Sequence, residues 1–330
     1  MKIIHILCYG LGPIGLGIAR LLSQRSDMQI VGAVDIDPAK KGRDLGELCG
    51  EPASGVIVSN DVAALAARPD VVLHATSSAL TKVAPQLESL ASAGFNVIST
   101  CEELAYPWAP QPDLAASLDR VARANQVTLL GTGVNPGYAM DALPLFLTAP
   151  CAQVRAVRVT RVVDAAQRRG PLQQKVGAGL SVEAFAERAK EGSVRHVGLH
   201  ESLHMLAGSL RWQLDEIDYQ IEPVVAQQEI VTPYVQVQPG QAAGVRQVII
   251  GRRGGHEALR LELQMYVGAP DPRDEVEIDG DPPIHMRVQG GIHGDIATAA
   301  IVVNAIPTIL RANPGLATMM DIGVVHWSNG

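Results

Sequence analysis

The stretch KIIHILCYGLGPIG constrains this chain more than any other. An apolar run of strand length ends at Gly10, and glycines recur at Gly12 and Gly15 where the helix-type sequence IGLGIARLLSQ begins. In a strand–turn–helix unit each glycine has its own task. The first permits the tight turn, the second lets a pyrophosphate approach the backbone, and the third lets helix and strand pack closely. The helix N-terminus then faces the phosphates, and Pro13 and Ile14 complete the turn. The G-x-G-x-x-G spacing is weak by itself. Here it follows a strand, opens a helix, and is joined by Asp35 at the end of a second strand, MQIVGAVDID, roughly 20 residues on, as a dinucleotide site requires. A carboxylate there accepts the ribose hydroxyls of NAD and repels the 2′-phosphate of NADP. Lys40, Lys41 and Arg43 just downstream can hold that phosphate or serve as a solvated loop. The expected cofactor is NAD or NADP, with NAD favoured by Asp35.

The rest of the first half repeats the pattern. DVVLHATS, FNVISTCE and QVTLLGTGV read as further strands. NDVAALAA, LTKVAPQLESLASAG and DLAASLDRVARAN read as helices between them, with Asn60 and Asp113 as helix starts. Alternating strand and helix implies a doubly wound parallel sheet covered on both faces, an α/β Rossmann domain over 1–136. The middle differs. SVEAFAERAKEG is an amphipathic helix with Ser181 as its cap and Val182, Phe185, Ala186 and Ala189 on one face. ALRLELQMYVG alternates, with Leu259, Leu261, Leu263, Met265 and Val267 on one side. That is a half-exposed strand of an antiparallel sheet. An α+β substrate and dimerisation domain is therefore expected over 137–293. A helical segment over 294–330 returns to the first domain.

Composition narrows the class. With 330 residues the chain is long enough for two cored domains. A net charge of −7, from 27 basic and 34 acidic residues, and the lack of any basic block argue against nucleic acid or anionic membrane as partners. No apolar run reaches the roughly 18 residues of a membrane span. The N-terminus reads as a first strand rather than a signal peptide. Cys8, Cys49, Cys101 and Cys151 are scattered, without a C-x-x-C pair, which suits a reducing cytoplasm.

Ligands of parallel sheets bind beyond the carboxyl ends of the strands. HATSS supplies Ala75, Thr76 and Ser77, small groups beside a dinucleotide. STCEELAYP supplies Thr100, Cys101, Glu102 and Glu103. Two acids at the end of a buried strand suit a catalytic carboxylate aimed at the nicotinamide carbon, and equally a helix N-terminal acid stabilised by the dipole. In GTGVNPGY, Asn135 can bond a cofactor amide or a substrate, and Pro136–Gly137 makes a turn. One further pattern competes: HESLH, His200 to His204, matches the zinc-peptidase H-E-x-x-H. A zinc site needs a third ligand. Leu210 stands six residues after His204, and only Glu216, Glu222 or Glu229 offer a looser spacing. A packed helix explains the stretch without a metal, and no metal is expected.

Taken together, GLGPIG, STCEELAYP, GTGVNPGYAMDALP, RRGPLQQKVGAG and GGIHGDIATAAIVVNAIP resemble the 2,4-diaminopentanoate dehydrogenase family and its relatives, the native NAD(P)-dependent amine dehydrogenases. These belong to the wider dihydrodipicolinate-reductase-like group. The resemblance implies a Rossmann domain plus a substrate domain, a homodimer, and reversible reductive amination of a ketone or aldehyde with ammonia. It implies a catalytic glutamate in CEEL, Glu102 or Glu103. Similarity of this segment to the EKP stretch of other two-domain dehydrogenases, where a catalytic lysine follows the glutamate, sets Glu103 ahead. It also implies that the loop carrying Arg168, Arg169 and Lys175 closes over the site. An inward arginine there would bind a substrate carboxylate. Pro136, Tyr138, Arg168, His200 and His293 are the substrate-pocket candidates. The competing functions are a dihydrodipicolinate-type reductase, whose paired histidines followed by lysine are absent, a non-catalytic NAD-binding regulator, and a zinc peptidase. The chemistry favours a carboxylate: an ammonium cannot release hydride from its carbon until a base takes its proton.

Overall fold

A computed structural model describes residues 3–62 and 67–328. They form two compact units, one of the described residues up to Tyr138 together with those from His293 onward, the other Ala139–Ile292. The chain begins in the first unit with β1 (Ile4–Tyr9), α1 (Pro13–Leu22), β2 (Met28–Val34), α2 (Leu45–Leu48) and β3 (Val58–Ser59). It continues with β4 (Val71–His74), α3 (Leu80–Ser92), β5 (Asn96–Ser99), α4 (Pro112–Ala124) and β6 (Thr128–Gly131). The second unit holds α5 (Ala142–Leu147), β7 (Gln153–Asp164), α6 (Gly170–Lys175), α7 (Val182–Lys190) and α8 (Leu199–Ser209). It ends with β8 (Glu216–Val225), β9 (Ile230–Val231), β10 (Gln236–Val237), β11 (Ala242–Arg253), β12 (His256–Tyr266), β13 (Arg273–Asp281) and β14 (Ile284–Gln289). The chain then returns to the first unit as α9 (Gly294–Asn304), α10 (Ile306–Ile309) and β15 (Gly315–Ala317).

The sheet of the first unit runs β15-β6-β5-β4-β1-β2-β3, and every pairing is parallel. Such a sheet must be covered on both faces, so its strands are apolar throughout. Val71, Val72, Leu73, Val97, Ile98, Leu129 and Leu130 are all buried. Leu80, Val83 and Leu87 of α3 and Ala115 and Leu118 of α4 belong to the core on one side. The strand order turns back between β1 and β4, the switch point at which ligands of doubly wound sheets bind. The returning α9 packs on α1, where Gly17 leaves room: a Cβ there would lie 4.0 Å from that of Ala299.

One helix start differs from expectation. The cap of α4 is Gln111 with Pro112 at the first helical position, and Asp113 lies in the first turn. There the carboxylate meets the positive end of the dipole without capping it. The helix expected over NDVAALAA falls partly on 63–66, outside the described residues.

The sheet of the second unit runs β14-β13-β7-β12-β11-β8. It is antiparallel except for β7 and β12, which run parallel. The alternation of β12 is as expected: Leu259, Leu261, Leu263 and Met265 are buried, as is Val267 beyond the strand's end. Its other face carries an ion-pair ladder, with Arg246 2.8 Å from Glu262 and 3.2 Å from Glu222, and Arg260 3.1 Å from Glu257. Ser181 caps α7 by accepting from the Ala184 N–H. Of the face expected to be apolar, Phe185 alone is buried, while Val182 and Ala186 are exposed. The helix lies against the edge strand β8, which has little surface to offer it. One buried ion pair anchors the unit. The Arg161 Nη1 lies 2.7 and 2.8 Å from the two oxygens of Asp274, and both residues also bond the backbone of Ile292. Each charge is stable in the interior only because the other is there.

Candidate active site

The glycine-rich turn is built by close backbone approach. Gly10 has a φ of +88°, and a Cβ there would lie 2.5 Å from the Ala75 carbonyl oxygen. A Cβ on Gly15 would lie 1.9 Å from the carbonyl oxygen of Gly10. Gly12 is the opposite case. It caps α1 with no side-chain bond to the first-turn N–H groups, Pro13 and Ile14 follow it, and a Cβ on it would meet nothing within 4 Å. Open space over the unsatisfied N–H groups of a helix start is what a pyrophosphate requires. These residues fit a dinucleotide.

Asp35 follows β2 and is buried. Its Oδ2 accepts from the Leu11 N–H at 2.6 Å and from the Lys40 ammonium at 3.1 Å, and its Oδ1 accepts from the Asp37 N–H at 2.8 Å. Burial alone would raise its pKa. The N–H groups of Asp37 and Leu11 and the charge of Lys40 outweigh it and hold the carboxyl below its usual range. The acid thus shapes the glycine turn from beneath while remaining ionised.

The ends of the neighbouring strands come to the same edge of the sheet. The Ala75 N–H donates to Tyr9 O, and the Thr100 N–H donates to His74 O. Thr76 is exposed and Ser77 half-buried. Cys101 is buried, and its thiol donates to Ser78 O at 3.2 Å. Burial, reinforced by the charges of Glu102 and Glu103, pushes that thiol up to about 12, so it remains protonated and is no nucleophile. Glu102 and Glu103 lie on a 3₁₀ turn, Glu102–Leu104. Both are half-buried. Glu103 Oε2 accepts from the N–H of Leu80, the first residue of α3, and from the Gln111 amide, both at 2.8 Å.

The loop after β6 holds Asn135 and Pro136 buried and Tyr138 half-buried. Neither amide atom of Asn135 has a hydrogen-bond partner, nor does the hydroxyl of Thr132, and all three atoms are buried. Gly137, with φ +118°, lets the loop close: a Cβ there would lie 2.7 Å from Thr132 Oγ1. Buried polar atoms left unsatisfied cost free energy unless a ligand or water meets them. A donor and an acceptor presented together suit a carboxamide. His293 caps α9, its Nδ1 accepting from the Ile296 N–H at 3.4 Å.

Arg168 and His200 belong to the second unit. Arg168 follows the 3₁₀ turn after β7 and is half-buried. His200 lies in the first turn of α8, its ring 5.1 Å from that of Tyr219. The H-E-x-x-H pattern does not present its three side chains alike: His200 is exposed while Glu201 is buried. Among the described residues, the group of His, Cys, Asp or Glu close enough to share an ion is Glu275, Glu277 and His285 on β13 and β14. His196 is a further imidazole in the second unit. Its backbone N–H donates to Gln247 Oε1 at 2.6 Å, and its carbonyl accepts from Gln247 Nε2 at 3.1 Å. Burial, then the charges of Lys175, Arg161 and Arg168, push its imidazole down to about 3. Nothing in the local sequence marks it, because Gln247 is a distant residue.

The model of the 2,4-diaminopentanoate dehydrogenase C-terminal domain matches residues 138–329, more than half of the chain. The chain belongs to the 2,4-diaminopentanoate dehydrogenase family. Its first part, residues 4–101, matches the N-terminal domain of dihydrodipicolinate reductase. A 2,4-diaminopentanoate dehydrogenase of Acetoanaerobium sticklandii is 32% identical, with 98% of this chain and 94% of that one covered. An amine dehydrogenase of Streptomyces virginiae is 25% identical over 97% of this chain and 96% of that one. The solved structure of an amine dehydrogenase from Mycobacterium smegmatis superposes with a TM-score of 0.87 at 26% identity, covering 99% and 98% of the two chains. Membership makes this chain an oxidoreductase acting on CH–NH2 groups, built on the NAD(P)-binding dehydrogenase fold.

Within this family fold the two glycines should fail differently. Gly12→Val should cost at most about 1 kcal/mol of stability, the scale of a helix cap. It should lower dinucleotide affinity by at least roughly tenfold, or about 1.4 kcal/mol. Gly15→Ala should destabilise the fold itself, by about 1–3 kcal/mol or more, because backbone must move. Chemical denaturation and NADH fluorescence titration of both variants read the two effects separately. Tight NADH binding by Gly12→Val would misplace the site.

Proposed function

We propose that the chain catalyses the reversible NAD(P)-dependent conversion of a primary amine to a carbonyl compound and ammonia, with Glu102 as the base. The names of the relatives offer two substrate classes, a diamino acid such as 2,4-diaminopentanoate and a simple amine. The observation that carries the reading is the pair of acids closing β5 at the ligand edge of the sheet. The resemblance of CEEL to the EKP stretch sets Glu103 ahead as the base. Glu103 Oε2 accepts from the Leu80 N–H at the start of α3 and from the Gln111 amide, bonds that brace the helix start. Glu102, one residue earlier on the same turn, is the acid proposed to meet the substrate.

When bound, NAD(P) would supply the hydride acceptor in deamination and the donor in the reverse direction. Gly10, Gly12 and Gly15 would hold the pyrophosphate, Asp35 the ribose, and Asn135 with Thr132 the carboxamide. Glu102 takes the proton of the substrate ammonium, so that the nitrogen lone pair supports loss of hydride from carbon. The product of that loss is an iminium, and Glu102, once it has passed the ammonium proton on to solvent, is again the carboxylate that stabilises the cation's charge. Water then adds to the iminium carbon, and ammonia leaves as the carbonyl forms. In the amination direction the same acid holds ammonia for addition and returns the proton.

Replacing the two acids separates their roles. Glu102→Gln should lower turnover by roughly 10²–10⁴-fold, the worth of a positioned acid–base group, with NADH affinity little changed. Glu103→Gln should cost about 1 kcal/mol of stability and leave turnover within roughly tenfold. Steady-state rates with saturating NADH and ammonium decide this. A dead Glu103→Gln beside an active Glu102→Gln would reverse the assignment, and two near-wild-type rates would end the carboxylate mechanism.

Cofactor choice turns on Asp35 and Lys40. The ionised Asp35 favours ribose hydroxyls, but Lys40, 3.1 Å from it and 3.5 Å from Asp37, can turn to a 2′-phosphate. The reading is therefore NAD preferred and NADP accepted. Lys40→Met should raise KM for NADPH about tenfold, the worth of one charge-assisted hydrogen bond, and that for NADH far less. Equal effects on both cofactors would show that Lys40 plays no part in selection.

A further inference from the structure

We propose that His74 is a positioning residue that fixes the strand end carrying Glu102 relative to the turn at Thr76, and that it does so as the neutral Nε2–H tautomer. The inference rests on the reading of Glu102 as the base. His74 is the last residue of β4 and is fully buried. The residues before it are Val71, Val72 and Leu73. A fourth aliphatic would satisfy this sheet without burying an imidazole, whose polar atoms must each find a partner.

Each ring nitrogen has one. Nε2 lies 2.7 Å from Gln86 Oε1 and 3.0 Å from Thr76 Oγ1, and Nδ1 lies 2.9 Å from Ser99 Oγ. An amide oxygen only accepts, so the proton sits on Nε2. Nδ1 is then a bare acceptor for the Ser99 O–H. The lone pairs of Ser99 Oγ in turn accept the Cys101 N–H at 3.1 Å. The opposite tautomer would give Ser99 Oγ two incoming donors and leave its own proton without this acceptor. Burial, opposed by the bond to Gln86, moves the imidazole below its ordinary pKa, which agrees with a neutral ring. Tyr9 lies against it, the ring centroids 5.3 Å apart.

The chain of bonds has two ends. At one, the exposed Thr76 donates to Gln86 Oε1 at 3.0 Å, directly after Ala75, whose carbonyl borders Gly10. At the other, the Cys101 amide opens the 3₁₀ turn of Glu102. His74 thus ties the dinucleotide side of the sheet edge to the acid side. A carboxylate displaced by about 1 Å loses of the order of 100-fold in rate.

Three substitutions test the two ends apart. In His74→Asn the amide oxygen takes the place of Nδ1 and accepts from Ser99. In His74→Gln the amide nitrogen takes the place of Nε2 and donates to Gln86. His74→Leu does neither. His74→Gln and His74→Leu should lower kcat roughly 10- to 100-fold, with the Kd for NADH held within about threefold in His74→Gln, a change under about 1 kcal/mol. His74→Asn should keep kcat within a similar factor and raise the Kd for NADH instead. Imidazole ¹⁵N shifts of the wild-type protein, assigned by comparison with His74→Gln, should show Nε2–H and a bare Nδ1 across neutral pH. An Nδ1–H tautomer, or a kcat that falls only with the folded fraction in all three variants, would overturn the proposal. A wild-type rate for Glu102→Gln would remove the base assignment while leaving the tautomer and NADH-affinity readouts in force, so the two failures are distinguishable.

Discussion

The carboxylate of Asp35 holds the turn on which the rest of the ligand edge depends. It reaches from the end of β2 to the Leu11 N–H at 2.6 Å, between Gly10 and Gly15, which admit backbone where side chains cannot go. With the turn fixed, Gly10 meets the Ala75 carbonyl and Gly15 meets Gly10 itself. The ends of β1, β2 and β4 are thereby registered to one another. The same ionised group is then the one that a ribose would find. Its bonds on the protein side keep that charge in place, and in the proposed function it also meets the ribose.

The acid pair at the end of β5 shows a related economy. Two adjacent glutamates share one short turn. Glu103 ties α3 to the segment before α4 through Leu80 and Gln111, which stiffens the turn. The proposed base is thus carried on a rigid element, as a group that must sit within a fraction of an ångström requires. Cys101, buried beside them with its thiol kept protonated, completes that packing and adds no chemistry.

Much of this was legible in the sequence, for reasons that are local. The glycine spacing, the apolar strands and the alternation of β12 are short-range patterns, and they give the doubly wound sheet and the second sheet directly. The parallel pairing of β7 with β12 is not such a pattern, because register between distant strands leaves no mark within either. The face of α7 was misjudged since an amphipathic helix does not reveal that its partner is an edge strand. The site follows the same rule. Gly10, Gly12, Gly15, Asp35 and the two acids stand out by position, but the bonds that distinguish Glu103 from Glu102 come from Leu80 and Gln111. His74 reads as the ordinary end of a strand until Ser99 and Gln86 are beside it. Thr132 and His196 likewise carry no local signal. HESLH is the reverse case, a local pattern whose residues do not share one exposure in the fold.

The central claim is that this sheet edge makes and breaks a carbon–nitrogen bond, and ammonium dependence tests it most directly. NADH consumption should be followed over a panel of ketones, aldehydes and keto acids, with and without ammonium, while the product amine is quantified. The account predicts consumption only when ammonium is present, with one amine formed per NADH oxidised. Equal consumption without ammonium, with an alcohol as the product, would contradict it.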